Sequence, residues 1–215
     1  MRLTLGRGQS MMQGRGPKWT YILIGLSVLG YILQHTVASQ VGIGIQISGF
    51  NLERPLWFLF SFVPLLAFDM PWMFVTSIFL HADLSHLFFN MFSLLIFGIY
   101  LERMVGGRLF LILFFAAGII GNVGYIVTSG NALVPAIGAS GAIYGVMGTL
   151  AVLAPFLLIF VYGILPLPMI VAAGAFAVLD IMGLLVPSGI AHGAHLAGMI
   201  VGIGAGLYLR RMRYL

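Results

Sequence analysis

Gly138-Ala139-Ser140-Gly141-Ala142-Ile143-Tyr144-Gly145-Val146-Met147-Gly148 and His195-Leu196-Ala197-Gly198-Met199-Ile200-Val201-Gly202 are the two stretches that decide how this chain folds. Each opens an apolar run, and each carries one reactive polar side chain at its head, Ser140 and His195. Polar groups in hydrocarbon are costly and mark functional sites by default. Gly141, Gly145 and Gly148 in the first run, and Gly198, Gly202 and Gly206 in the second, follow the small-residue spacing that lets helix backbones approach closely in lipid. His195 lies three residues before Gly198, on the same helical face, so close packing of the two helices brings it near Ser140.

Composition agrees with a membrane setting. Of 215 residues, 61% are hydrophobic and 7% charged, against about a quarter charged in a soluble domain. The chain reads as one integral membrane domain, all-α, with room for six or seven helices of ~20 residues. Cys is absent, which excludes a disulfide framework, a thiol nucleophile and a Cys-metal site. The net charge of +5 sits at the ends and in one loop, where it sets topology, so no nucleic-acid partner is expected.

Residues 1–18 are Gly-rich and basic, lack the apolar region of a cleaved signal peptide, and are expected to form a flexible cytoplasmic tail. Spans are predicted at about 19–38, from 76–83 to 103, 109–128, 140–154, 169–186 and 191–209, with 211–215 as a second cytoplasmic tail. Residues 39–75 hold Glu53, Arg54, Asp69, Trp57 and Trp72. They are too broken to span and too apolar for a free loop, so they are placed in the membrane interface, which favours Trp. The stretch 156–168 is apolar but interrupted by Gly163, Pro166 and Pro168.

With six spans, nine of the ten Lys and Arg residues fall on one side, leaving only Arg54 on the other. The positive-inside rule then puts both termini in the cytoplasm. Depth follows from the rise of ~1.5 Å per residue: His195 stands roughly 22 Å above Arg210, Ser140 roughly 22 Å above Pro155, and Asn90 roughly 20 Å above Arg103. In a hydrocarbon core of ~30 Å these groups share one level beneath the outer surface.

The chemistry at that level is specific. A serine hydroxyl becomes nucleophilic when a neighbouring His takes its proton. The developing oxyanion then needs aimed donors. Ser140 offers its own N–H at a helix N-terminus, and His86 and Asn90, four residues apart on one face, both donate. Tyr144, one turn after Ser140, is placed to pack on the His195 ring. No carboxylate is expected beside His195: Asp180 lies on another helix and Asp83 reads as an N-cap. The expected arrangement is therefore a Ser–His dyad, not a triad. His192 reads either as an ancillary oxyanion or water-binding group or as a polar residue of the preceding loop. His81 reads as a tie between the first loop and the second helix.

These residues resemble the rhomboid intramembrane serine proteases. Gly138-Ala139-Ser140-Gly141 with Tyr144 is similar to the family's GxSG motif, His195 with Gly198 and Gly202 to its HxxGxxxG helix, and His81, His86 and Asn90 to its HxxxxHxxxN helix. Glu102-Arg103 before Gly106 resembles the acidic end of that helix. The resemblance covers about residues 19–210. It implies a six-helix bundle with a membrane-embedded first loop and a mobile cap loop before the sixth helix. It also implies cleavage of single-span membrane substrates near their outer end, after a small residue, with neither cofactor nor metal. The setting it suggests is a prokaryotic plasma membrane. One departure is Trp72-Met73, where the family often has Trp-Arg. Three other classes are weighed against it. A zinc peptidase is opposed by the lack of HExxH and of a carboxylate beside the histidine pairs. A transporter would show repeated halves and a midplane site. A non-catalytic relative that binds membrane helices would usually lack Ser140 or His195.

Overall fold

The computed structural model describes residues 16–47, 50–161, 164–186 and 188–213. Of the two expected tails, residues 1–15 and 214–215 lie outside the described residues, as do Gly163 and Pro187. In chain order the elements are α1 (Lys18–Leu33), β1 (Gly42–Ile47), β2 (Phe50–Pro55), α2 (Met73–Thr76), α3 (Leu84–Ser93), α4 (Ile99–Val105), α5 (Gly107–Thr128), α6 (Ser140–Leu153), β3 (Leu158–Val161), β4 (Leu165–Pro168), α7 (Met169–Gly183) and α8 (His192–Arg213). A wider π-helical turn, Gln34–Ala38, extends α1, and another, Leu94–Gly98, joins α3 to α4. Helix thus begins already at Lys18 and persists through Arg213, inside both expected tails.

The chain is mostly helical. Among the described residues, Lys18–Ala38, Leu84–Val105, Gly107–Thr128 and His192–Met212 are long and apolar enough to cross a membrane. Ser140–Leu153 and Met169–Gly183 are apolar but shorter. The all-α expectation is corrected at two places. Gly-Ile-Gly-Ile-Gln-Ile alternates with the period of a strand, and β1 pairs antiparallel with β2, from Gly42 opposite Pro55 to Ile47 opposite Phe50. The broken stretch after α6 also folds into a hairpin, with Leu158 opposite Pro168 and Val161 opposite Leu165. Pro166 and Pro168 cannot sustain a helix interior. Cross-strand pairing gives backbone groups of this apolar segment partners within the protein.

α6 is the buried centre. Gly141, Ala142, Ile143 and every residue from Gly145 to Leu150 are buried. The glycines explain why α8 comes so close. A Cβ on Gly198 would overlap the Gly141 carbonyl, one on Gly202 the Gly145 carbonyl, and one on Gly148 would lie 2.6 Å from the Met199 carbonyl oxygen. Thr149 fastens the seam, its hydroxyl 3.0 Å from both the Gly145 and Gly202 carbonyl oxygens.

Two polar ties fix the outer elements. The buried Glu102 carboxylate accepts from the Trp19 and Thr20 amides, at 3.0 and 2.8 Å, and from the Thr20 hydroxyl at 2.8 Å. It caps the N-terminus of α1, where Pro17 supplies no side-chain cap, and its charge suits the helix dipole. At the other end, residues 58–73 form a second small core of Phe58, Phe62, Val63, Leu66 and Met73. Met73 is fully buried there, while Trp72 donates its indole N–H to the Leu59 carbonyl at 2.9 Å. The residue standing where the family often has arginine is thus an apolar plug. Phe62 exchanges backbone hydrogen bonds with Ala136, at 2.9 and 2.8 Å, and Gly138 donates to the Ser77 carbonyl at 2.9 Å. These bonds hold the segment that leads into α6.

Gly198→Val is expected to cost about 3 kcal/mol, the upper end of the usual overpacking cost, because its obstacle is backbone and cannot rotate away. A melting curve in detergent unchanged from wild type would contradict the close α6–α8 seam.

Candidate active site

Ser140 is the first residue of α6. Its amide lies in the first turn, where N–H groups have no intrahelical acceptor. His195 lies in the first turn of α8. The α6–α8 seam sets the two side chains against each other, with His195 Nε2 2.8 Å from Ser140 Oγ. The Tyr144 ring stacks on the imidazole, centroids 4.4 Å apart and planes 17° apart, and Phe176 of α7 packs edge-on against Tyr144 at 6.1 Å. The imidazole therefore has little freedom to rotate.

The expectation that no carboxylate stands near His195 is corrected. Asp180 of α7 is buried, with Oδ1 2.9 Å from His195 Nδ1. The same oxygen is 2.6 Å from His192 Nδ1, and His192 Nε2 is 2.7 Å from the Ser188 hydroxyl. Sequence spacing hid this contact because α7 and α8 bring Asp180 and His195 together across the α7–α8 connection. The available signal was the cost of an acidic residue within an apolar helix. The objection that these histidines lack a carboxylate neighbour is corrected with it. Asp180, His192 and His195 offer donor atoms all within 4.8 Å of one another, a set that can hold a divalent ion. In this structure Asp180 Oδ1 and both Nδ1 atoms are engaged with each other.

The third helix of the site begins at Asp83, whose carboxylate accepts from the His86 amide at 2.8 Å and the Ser85 hydroxyl at 2.7 Å. This is an N-cap. Hydrogen bonds from Ser85 and then His86 hold the Asp83 carboxyl below the usual range. The Ala82 amide donates to His86 Nδ1 at 3.4 Å, so the neutral ring carries its proton on Nε2. That edge faces Gly138: a Cβ there would lie 2.8 Å from His86 Cε1 and Nε2 and 3.9 Å from Ser140 Oγ. Gly138 also has φ +124°, which disfavours any side chain. Asn90 is buried, and one amide N–H donates to the His86 carbonyl at 2.9 Å. His81 is fully buried beside His86, ring centroids 5.1 Å apart, and its amide donates to Gln34 at 3.0 Å. That bond ties the second helix to the end of the first span. Burial, followed by the neighbouring His86, pushes the His81 pKa down to about 3.

A cavity of about 480 Å³ opens beside Ser140. Asn90 and Ser93 are its polar edge, and Phe88, Phe92, Met147 and Phe176 belong to its apolar wall. Gly141, Gly145, Gly198 and Gly202 lie in the seam behind it.

Helices of membrane length and a half-buried Ser–His pair beside an apolar cavity define a multi-pass integral membrane protein with a hydrolase-like site. Residues 69–212 match the Rhomboid domain, and the chain belongs to the rhomboid family. It is 47% identical over 77 residues to the "Putative rhomboid protease YdcA" of Bacillus subtilis, covering 36% of this chain and 38% of that protein. It is 34% identical over 143 residues to "Rhomboid protease GluP" of the same organism, covering 66% of this chain and 25% of that protein. It is also 34% identical over 79 residues, 37% of this chain and 22% of the relative, to "Inactive RHOMBOID-like protein 8" of Arabidopsis thaliana. The matches therefore span well under two thirds of these relatives.

The low His81 pKa has a sign that can be tested. Below the ordinary value of 6.5 the unfolded chain takes up a proton that the folded site refuses until about pH 3. Stability present above pH 6.5 should fall as the pH drops toward 4, and fall less in His81→Gln. Equal acid sensitivity of the two melting temperatures would show that His81 is charged in the folded protein.

Proposed function

We propose that this chain is an intramembrane serine endopeptidase that hydrolyses peptide bonds of single-span substrate helices near the outer membrane face. The observation that carries this reading is the 2.8 Å contact of His195 Nε2 with Ser140 Oγ at the edge of an apolar cavity. Oγ attacks the scissile carbonyl while Nε2 takes its proton, forming a tetrahedral oxyanion. The Ser140 amide, the Nε2–H of His86 and the second N–H of Asn90 are the donors for that charge. Collapse of the intermediate breaks the C–N bond, and His195 returns the proton to the leaving amine. Water then attacks the acyl-serine by the same route, releasing the acid and restoring Oγ–H. Tyr144 orients His195, Gly138 makes room for His86, and His81 anchors the His86 helix.

The proposed domain spans 19–210, with six crossings and the segment 39–75 in the interface. α6 and α7, each ~21–23 Å long by helical rise, complete their crossings through the β3–β4 hairpin at the inner side. The charge distribution puts both termini in the cytoplasm, here that of a prokaryotic cell. The alternative is a helix-binding relative without activity, the class to which the Arabidopsis protein's name assigns it. The direct Ser140–His195 hydrogen bond favours catalysis.

Purified protein in liposomes, given a single-span substrate with small residues at its outer end, should cleave it. Ser140→Ala and His195→Ala should each abolish cleavage and Ser140→Ala should abolish labelling by a fluorophosphonate, both variants retaining the wild-type melting temperature. Substantial turnover by either variant would refute the assignment. Asn90→Ala should lower kcat on the order of 10²-fold. A rate close to wild type would reassign Asn90 to packing.

A further inference from the structure

The Ser140–His195 contact is one link in a longer series. Ser188 Oγ meets His192 Nε2 at 2.7 Å, His192 Nδ1 meets Asp180 Oδ1 at 2.6 Å, the same oxygen meets His195 Nδ1 at 2.9 Å, and His195 Nε2 meets Ser140 Oγ at 2.8 Å. Asp180 is the junction. Its carboxylate only accepts, so each imidazole must present Nδ1–H to it.

We propose that Asp180 is the positioning residue of this site: it holds His195 in the Nδ1–H form, with the Nε2 lone pair aimed at Ser140, while His192 and Ser188 hold Asp180. This rests on the catalytic reading above.

Three observations carry it beyond a buried ion pair. First, the tautomer that Asp180 selects is the one that the Ser140 hydroxyl requires. A neutral imidazole has one donor and one acceptor, and its Nε2–H form would point a hydrogen at Oγ. Second, an acidic side chain 5% exposed in an apolar helix is costly even when hydrogen-bonded, and such groups mark functional sites. Third, Tyr144 restrains the ring by stacking but leaves its proton free to sit on either nitrogen. Stacking sets the plane, and only a hydrogen-bond partner on the Nδ1 side sets the tautomer. His192 has a different place in the series. It lies 6.3 Å from His195 between ring centroids, nearly perpendicular, and reaches Ser140 only through Asp180. It therefore supports the carboxylate, one step further from the chemistry.

The test compares wild type, Asp180→Asn, His192→Ala, Ser140→Ala and His195→Ala in liposomes. It reads kcat and KM separately, the melting temperature, and the His195 tautomer from ¹⁵N chemical shifts of the labelled full chain. Asp180→Asn should lower kcat by up to about 10⁴-fold, the loss an Asp→Asn change produces when it leaves the wrong tautomer in a serine hydrolase. KM should change less than threefold, the melting temperature should hold, and the His195 proton should move to Nε2. His192→Ala should lower kcat less than tenfold and leave the proton on Nδ1. A kcat in Asp180→Asn within threefold of wild type would overturn the proposal. So would a kcat loss accompanied by an unchanged His195 tautomer, or an equal kcat loss in His192→Ala. If Asp180→Asn does not fold, wild type alone decides: a His195 proton found on Nε2 overturns the proposal, and one on Nδ1 supports it. Continued cleavage by Ser140→Ala and His195→Ala would instead remove the catalytic reading itself. Inactivity of those two beside a fully active Asp180→Asn would remove only the role given to Asp180.

Discussion

Everything at the site depends on two backbones touching. α6 and α8 meet through Gly141, Gly145, Gly198 and Gly202, and no side chain fits between Gly198 and the Gly141 carbonyl or between Gly202 and the Gly145 carbonyl. In lipid there is no hydrophobic gain from helix association, so packing and hydrogen bonds must hold the pair. Backbone contact supplies the packing, and Thr149 supplies a hydroxyl shared between both helices. The consequence reaches the end of the seam where both helices begin. Two rigid cylinders fixed at several points leave their first residues little freedom, and those turns carry Ser140 and His195.

Around that fixed pair the remaining helices add parts by separate means. α3 is started by the Asp83 cap, and the Ala82 amide beside that cap donates to the His86 ring. The loop before α6 is held to the first-loop core through Phe62 and Ala136 and to the second-span entrance through Ser77 and Gly138. Gly138, at φ +124° and against the His86 ring, is where both constraints meet. α7 contributes Asp180 and Phe176 from the opposite side. A buried polar cluster of this kind is stable only when its members satisfy one another. In the series from Ser188 to Ser140, both histidines are bonded on both ring nitrogens, and they meet at Asp180 Oδ1.

The far end of the bundle shows the same economy of polar groups. Glu102 is buried, yet three donors of the first turn of α1 converge on its carboxylate. One acid from α4 thereby begins α1. The apolar segments that are not helical, β3 and β4, pair with each other. Both follow from a single rule, that backbone groups in hydrocarbon need partners within the protein.

Much of this was legible in the sequence by itself. Glycine spacing named the α6–α8 seam, charge and hydropathy located the apolar segments, and the Asp83 cap followed from residue type. The position of Ser140 and His195 at the heads of their helices needed only the local pattern. Other features were decided by tertiary structure alone. Asp180 sits in an apolar helix whose periodicity does not say which way it faces, and its partners depend on the rotation and height of α7 against α8. The Glu102 cap joins residues 82 positions apart, and Met73 became a core residue through the fold of the first loop. Local period and residue type determine what a segment becomes, because those forces act within a few residues. Which polar groups then meet is determined by how rigid elements settle against each other, and no short stretch of chain contains that information.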